Sequence, residues 1–172
     1  RRNSTGLPEG VVREVVRRPP TERYLCPWAG DEVQIHCVLT LEGTGDEVYS
    51  TRGSANAGPR VFQIDADDER SDPPVVNHLV KSMHKGEQSK FRIPPSVLSS
   101  LGCEELVQKR CPAHEGAVIV DVELLSCPQR EDLFHDGGVI KTEVTRGPGQ
   151  IEPRRNSEVQ LSYKIAVDGE VV

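Results

Sequence analysis

Glu32-Val33-Gln34-Ile35-His36-Cys37-Val38-Leu39-Thr40-Leu41 sets Val33, Ile35, Cys37, Leu39 and Leu41 against Gln34, His36, Val38 and Thr40. A period of two over ten residues predicts a strand with one buried face. Gly43-Thr44-Gly45-Asp46 ends it in a turn. Val48-Tyr49-Ser50 then starts a second strand, Ser54 to Pro59 reads as a small-residue loop, and Val61-Phe62-Gln63-Ile64 is the next strand. Ser89-Lys90-Phe91-Arg92-Ile93 reads as another, stopped by Pro94-Pro95. Val118, Val120, Val122 and Leu124 alternate with Ile119, Asp121 and Glu123 in a closing strand. Upstream, residues 11–16 form a short β-branched run after a loose polar segment, residues 1–9.

One helix interrupts these strands. Asp72 offers an N-cap and Pro73 the first helical position, where its missing N–H costs nothing. Val75, Val76, Leu79, Val80 and Met83 share one face, and Gly86 is placed to end the helix after Lys85. Residues 96–115 read as irregular, with a short helix over Glu104–Lys109. Strands gathered around a single helix give an α+β class with a mostly antiparallel sheet.

The chain also begins to repeat itself. Gly10-Val11-Val12-Arg13-Glu14-Val15-Val16-Arg17-Arg18-Pro19-Pro20 is echoed 128 residues later by Gly138-Val139-Ile140-Lys141-Thr142-Glu143-Val144-Thr145-Arg146-Gly147-Pro148. Glu32-Val33-Gln34-Ile35 returns 126 residues on as Glu158-Val159-Gln160-Leu161. A period of this length copies a whole domain rather than a solenoid unit. The expected organisation is a flexible segment 1–9, a domain 10–127, a charged linker 128–137, and the first strands of a truncated second copy, 138–172. The chain is therefore expected to be a piece of a longer tandem protein.

Composition excludes several classes. Among 172 residues, 21 Lys and Arg against 27 Asp and Glu give a net charge of −6, with both signs interspersed. That argues against a phosphate-tracking surface, so no nucleic-acid partner is expected. No stretch approaches the roughly 18 apolar residues of a membrane span, and no secretory leader pattern is seen, so no membrane is expected. The acidic run Asp65-Ala66-Asp67-Asp68-Glu69 lacks the Gly and distal Glu of a calcium loop and reads as solvated. Asn3-Ser4-Thr5 matches a glycosylation sequon, relevant only to a secreted chain. Five cysteines, Cys26, Cys37, Cys103, Cys111 and Cys127, are an odd count without regular spacing. They predict free thiols in the cytoplasm or another reducing compartment. Cys103, Cys111 and His114 supply three zinc-ligand types but no C-x-x-C pair and no clear fourth ligand, so neither metal nor cofactor is expected.

Several of these stretches resemble one family. Gly30-Asp31-Glu32-Val33-Gln34-Ile35-His36 is similar to the "GD-x-V-x-(V/I)-H" strand of FKBP-type peptidyl-prolyl isomerases. Val80-Lys81-Ser82-Met83-His84-Lys85-Gly86-Glu87 resembles the family's helix end, and Ile93-Pro94-Pro95 its "I-S-P" strand end. Ala117-Val118-Ile119-Val120-Asp121-Val122-Glu123-Leu124-Leu125 is similar to its closing strand. Glu131-Asp132-Leu133, Asp136-Gly137-Gly138-Val139-Ile140 and Thr145-Arg146-Gly147 resemble the linker and second-domain start of large tandem immunophilins. The resemblance implies a twisted antiparallel sheet wrapped around the Asp72–Lys85 helix, followed by the start of a second copy.

It also implies a pocket of aromatic walls that binds a proline-containing segment beside a buried aspartate. Catalysis there needs no proton shuttle; the site binds the twisted amide better than the planar one, against a barrier of about 18–20 kcal/mol. At the matching positions the aromatic and acidic residues are largely missing. Cys37 stands for the tyrosine after "V-H", Val48-Tyr49-Ser50 for "F-D-S", Val76 for the floor tryptophan, Ser99 or a neighbour for the tyrosine of "Y-A-Y-G", and Val120 for the last-strand phenylalanine. Phe62 alone keeps an aromatic near its place. Residues 1–126 hold only Tyr24, Trp28, Tyr49, Phe62 and Phe91 as aromatics, with Trp28 expected to cover an edge and the phenylalanines to pack the core.

The expectation is an FKBP-like domain with a degraded proline pocket, a non-catalytic interaction, scaffold or co-chaperone module. Its partners would be proteins, through a larger assembly or a chaperone bound by regions outside these residues. Two readings stay open beside it: an isomerase with an atypical pocket or with its activity in the second copy, and another α+β binding domain that matches by chance.

Overall fold

The computed structural model describes residues 6–21, 23–53, 58–66, 73–145, 153–167 and 170–171. Asp72, Asn3–Thr5, Asp67–Glu69 and Arg146–Pro148 lie outside them, and with them the proposed N-cap, the sequon, most of the acidic run and the end of the first echo.

The alternation around Ile35 does what it predicts. β2, Glu32–Leu41, buries every second residue. Around it a six-stranded antiparallel sheet is built from β1 (Val12–Arg17), β3 (Glu47–Ser50), β4 (Arg60–Gln63), β5 (Gln88–Ile93) and β6 (Val118–Ser126). The order is β1-β5-β6-β2-β3, with β4 also pairing β2. β6 occupies one edge of β2, matching Cys37 with Val122 and Leu39 with Val120. The other edge is shared: β3 takes the Val38–Thr40 end and β4 the Glu32–Ile35 end. β1 closes the far side against β5 and keeps Val12, Val15 and Val16 exposed.

The helix is shorter than its apolar face predicts. α1 covers Val75–Leu79 and runs into a 3-10 turn, Val80–Ser82; Met83 is already extended. Local competition for hydrogen bonds explains this. The Ser82 hydroxyl donates to the Leu79 carbonyl at 2.8 Å, and the Met83 N–H goes to Val80 at 3.0 Å. The His84 N–H donates to the Glu87 carboxylate at 3.1 Å instead of continuing the α ladder. Gly86 follows at φ +82°, where a Cβ would sit 2.8 Å from Pro20 Cδ, so the turn requires glycine. The apolar face itself packs as expected. Val75, Val76, Leu79, Val80 and Met83 are fully buried in one cluster with Val33, Ile35, Ile93, Val120 and Val122. Each such side chain contributes roughly 1.5–3 kcal/mol.

Three other stretches differ from the sequence reading. Residues 96–115 are more ordered than expected, with α2 at Pro95–Leu98 and α3 at Glu104–Arg110. The segment read as a linker carries β7, Gln129–Asp132, which pairs with β8, Ile140–Glu143. Glu158–Leu161, expected as a strand, has no regular secondary structure and is exposed; among the described residues of that region, Ala166–Val167 (β9) and Glu170–Val171 (β10) pair. Alternation supplies a face, but a strand also needs a neighbour for its N–H and C=O groups. Among the described residues no helix is long and apolar enough to cross a membrane.

Candidate functional site

Six of the seven positions singled out in the sequence enter one continuous buried cluster: Cys37, Val48, Tyr49, Phe62, Val76 and Val120. They arrive from five elements: β2 brings Cys37, β3 Val48 and Tyr49, β4 Phe62, α1 Val76, and β6 Val120. Their exposures run only from 0 to 7%. Ser99 is different. It is exposed in the turn after α2, beside a shallow depression lined by Pro74, Gly102, Glu104 and Glu105. There Gly102, at φ +69°, lets Pro74 approach to where a Cβ would meet it at 2.9 Å.

Two polar contacts tie the buried positions down. Between the ends of β3 and β4 the outer edge of β2 lies uncovered at Cys37, and Thr51 fills the place. Its N–H donates to the Cys37 carbonyl, and its hydroxyl accepts the Cys37 N–H, both at 3.0 Å. Thr51 is itself fully buried, and the same hydroxyl lies 2.9 Å from His36 Nδ1. The Tyr49 phenol oxygen accepts a hydrogen bond from Arg60 Nε at 3.0 Å, which holds the ring between β3 and β4. Neither contact was visible in the sequence. Both link residues that are not neighbours on one element, and only the assembled sheet edge brings them together.

The thiols are free at all five cysteines. Burial pushes Cys103 up to about 12 and Cys127 up to about 11, which makes both poor nucleophiles. Cys26 is raised as well, chiefly by burial, with its sulfur 3.8 Å from His84 Nε2. No three His, Cys, Asp or Glu side chains among the described residues are arranged to hold a metal ion.

A second polar centre lies at the entrance to β2. Asp31 is 5% exposed and accepts hydrogen bonds from both terminal guanidinium nitrogens of Arg130, Nη1 and Nη2, the latter at 2.6 Å, and from the Trp28 N–H at 2.7 Å. Burial pushes the Asp31 carboxyl up, but these bonds outweigh it and hold the group below its ordinary range. The Arg130 guanidinium lies 4.6 Å from the centre of the Trp28 ring. Trp28 is 44% exposed.

No family model matches the chain. Structural comparison does find counterparts. The three FKBP domains of wheat FKBP73 match at a TM-score of 0.51 and 19% identity, over 84% of this chain and 56% of that one. The N-terminal domain of FKBP42 from Arabidopsis thaliana matches at 0.50 and 12%, over 70% of this chain and 87% of that one. The fold is of the FKBP type. At these identities the likeness carries the architecture and leaves the chemistry of the pocket positions to their own side chains.

Proposed function

We propose that residues 10–127 form an FKBP-type module that binds protein partners without turning over prolyl peptides, a scaffold or co-chaperone unit within a longer tandem protein. The burial of Cys37, Val48, Tyr49, Phe62, Val76 and Val120 carries this reading. A proline-binding cleft keeps its lining accessible until a substrate covers it, whereas these side chains already cover one another. Of the positions that resemble aromatic walls, Cys37, Val48, Val76, Ser99 and Val120 offer no ring face to a pyrrolidine, and the Phe62 ring is only 2% exposed. Tyr49, where the resemblance calls for a carboxylate, fills volume with a phenol held by Arg60. The tandem organisation is supported by the two echoes and by the wheat FKBP73 match, which spans more of the chain than residues 10–127 make up. Five free thiols suit the cytoplasm or another reducing compartment.

One observation favours a second reading, with isomerase activity housed in the following unit. Tyr163 stands 126 residues after Cys37, and so returns a tyrosine to that register.

The test is a titration of the isotope-labelled chain with a macrolide FKBP ligand and with an Xaa-Pro peptide, followed by NMR. The module as proposed shows no saturable shifts at the Cys37, Phe62, Val76 and Val120 amides. Saturable shifts converging on those four would restore the pocket and overturn the reading.

A further inference from the structure

The stretch that resembles a tether is fastened to the first unit at five places, all on one short segment, residues 23–31. Leu25 N–H donates to the Arg130 carbonyl at 2.7 Å, as a strand neighbour would. The Arg130 side chain pairs with buried Asp31 through Nη1 and Nη2 and stacks on Trp28. Arg23 Nε donates to Glu131 at 2.5 Å, and the Tyr24 hydroxyl reaches Glu143 on β8 at 3.5 Å. All four residues of β7 are partly buried. The hairpin is also fixed internally: the Asp132 carboxylate accepts the Gly137 N–H at 2.8 Å, and the Leu133 N–H goes to the Val139 carbonyl at 3.1 Å. Just beyond Glu143, Val144 is 92% exposed.

We propose that Arg130 is a clamp that makes the 129–143 hairpin a rigid extension of the first unit, so that the chain leaves it in one fixed direction. Arg130 is suited to this because a planar, permanently charged fork can grip a carboxylate with two bonds and lay its face on an indole at once. Lysine could do neither in the same way. A fixed exit presents whatever follows residue 143 at a set angle, which is what a scaffold needs to hold two bound partners in register. This consequence rests on the tandem reading above; the clamp itself does not.

Hydrogen exchange on the whole 172-residue chain tests it, comparing the parent with Arg130→Gln and Arg130→Lys. Arg130→Gln is expected to speed exchange across residues 129–143 by roughly tenfold or more while β2 and β6 keep their rates, because a local opening is being released. Arg130→Lys keeps the charge, loses the fork and should fall between. Unchanged exchange over 129–143 would overturn the clamp. Equal acceleration of β2, β6 and the hairpin, or outright unfolding by either variant, would show Arg130 to be a general support of the fold and would overturn it too. A longer chain that carries no second FKBP-type unit after residue 143, with the hairpin still protected, would remove the tandem reading and leave the clamp standing.

Discussion

β2 and the stretch 158–167 carry nearly the same message and meet opposite fates. Glu32-Val33-Gln34-Ile35-His36-Cys37-Val38-Leu39-Thr40-Leu41 aligns without a gap on Glu158-Val159-Gln160-Leu161-Ser162-Tyr163-Lys164-Ile165-Ala166-Val167. In β2 the apolar set Val33, Ile35, Cys37, Leu39 and Leu41 is 0–2% exposed. In its counterpart Val159, Leu161, Tyr163, Ile165 and Val167 are 54–77% exposed, and only the last two residues of the stretch pair at all. The difference lies in the surroundings. β2 has β6 along one edge, β3 and β4 along the other, and the α1 face in the same core. Among the described residues the later copy has a two-residue partner and nothing over its apolar face. Alternation selects which side chains a strand will bury, and the neighbours decide whether it is a strand.

The widest contrast is expected in thiol chemistry at matched positions. Cys37 and a thiol introduced by Tyr163→Cys occupy the same register of the two copies. Under native conditions the introduced thiol should react with a disulfide reagent on the order of a thousandfold faster, since Cys37 is reached only through an opening of the sheet. Similar rates would break the comparison. In denaturant without reductant, the parent chain kept from oxidation should titrate all five cysteines.

Stability should split the same way. Leu79→Ala empties a fully buried site in the core and is expected to cost about 2–5 kcal/mol in urea unfolding. Leu161→Ala, in a side chain 66% exposed, should leave the midpoint where it is. A smaller loss is expected at the sheet edge. Thr51→Val removes the acceptor for the Cys37 N–H in a place water does not reach, a cost of about 1–3 kcal/mol. If Thr51→Val proves neutral, the shared edge of β2 is not held as described.

Much of this was readable before the structure, for a physical reason. Strand periodicity is local, so β2, β5 and β6 and their buried faces follow from the spacing of Ile35, Phe91 and Val122 alone. The length of α1 was not legible, because its end depends on Ser82 and Glu87 taking hydrogen bonds that another turn of helix would have used. Nor was the clamp. Asp31 and Arg130 lie 99 residues apart, and Arg130 sits in a charged stretch that looks like any solvated connector. The candidate pocket positions were found through resemblance, and their burial could be foreseen only in part. Val76 and Val120 carry a periodic signature of the core, whereas Tyr49 is enclosed because β3 is buried on consecutive residues.

Acid should touch the two copies unequally, and this is the smallest of the stability effects. The Asp31 carboxyl titrates below its ordinary value in the folded chain, held down by Arg130 and the Trp28 N–H against the opposing effect of burial. Its contribution is therefore complete above the ordinary carboxylate range, near about pH 4, and is lost as pH falls through the lowered folded value. Asp31→Asn should flatten that part of the stability profile below about pH 4. An unchanged profile would mean that Asp31 and Arg130 are not coupled.

The effect expected to be nil is the one that decides most. The 172-residue chain, mixed with an Xaa-Pro peptide and followed by NMR exchange or a protease-coupled assay, should leave cis–trans interconversion at its uncatalysed rate. Each ring absent from the pocket positions forfeits of order 1–3 kcal/mol of burial and stacking, and every 1.4 kcal/mol or so is about tenfold in rate. Clear acceleration that a macrolide FKBP ligand abolishes, and that survives cutting the chain back to residues 10–127, would contradict the account.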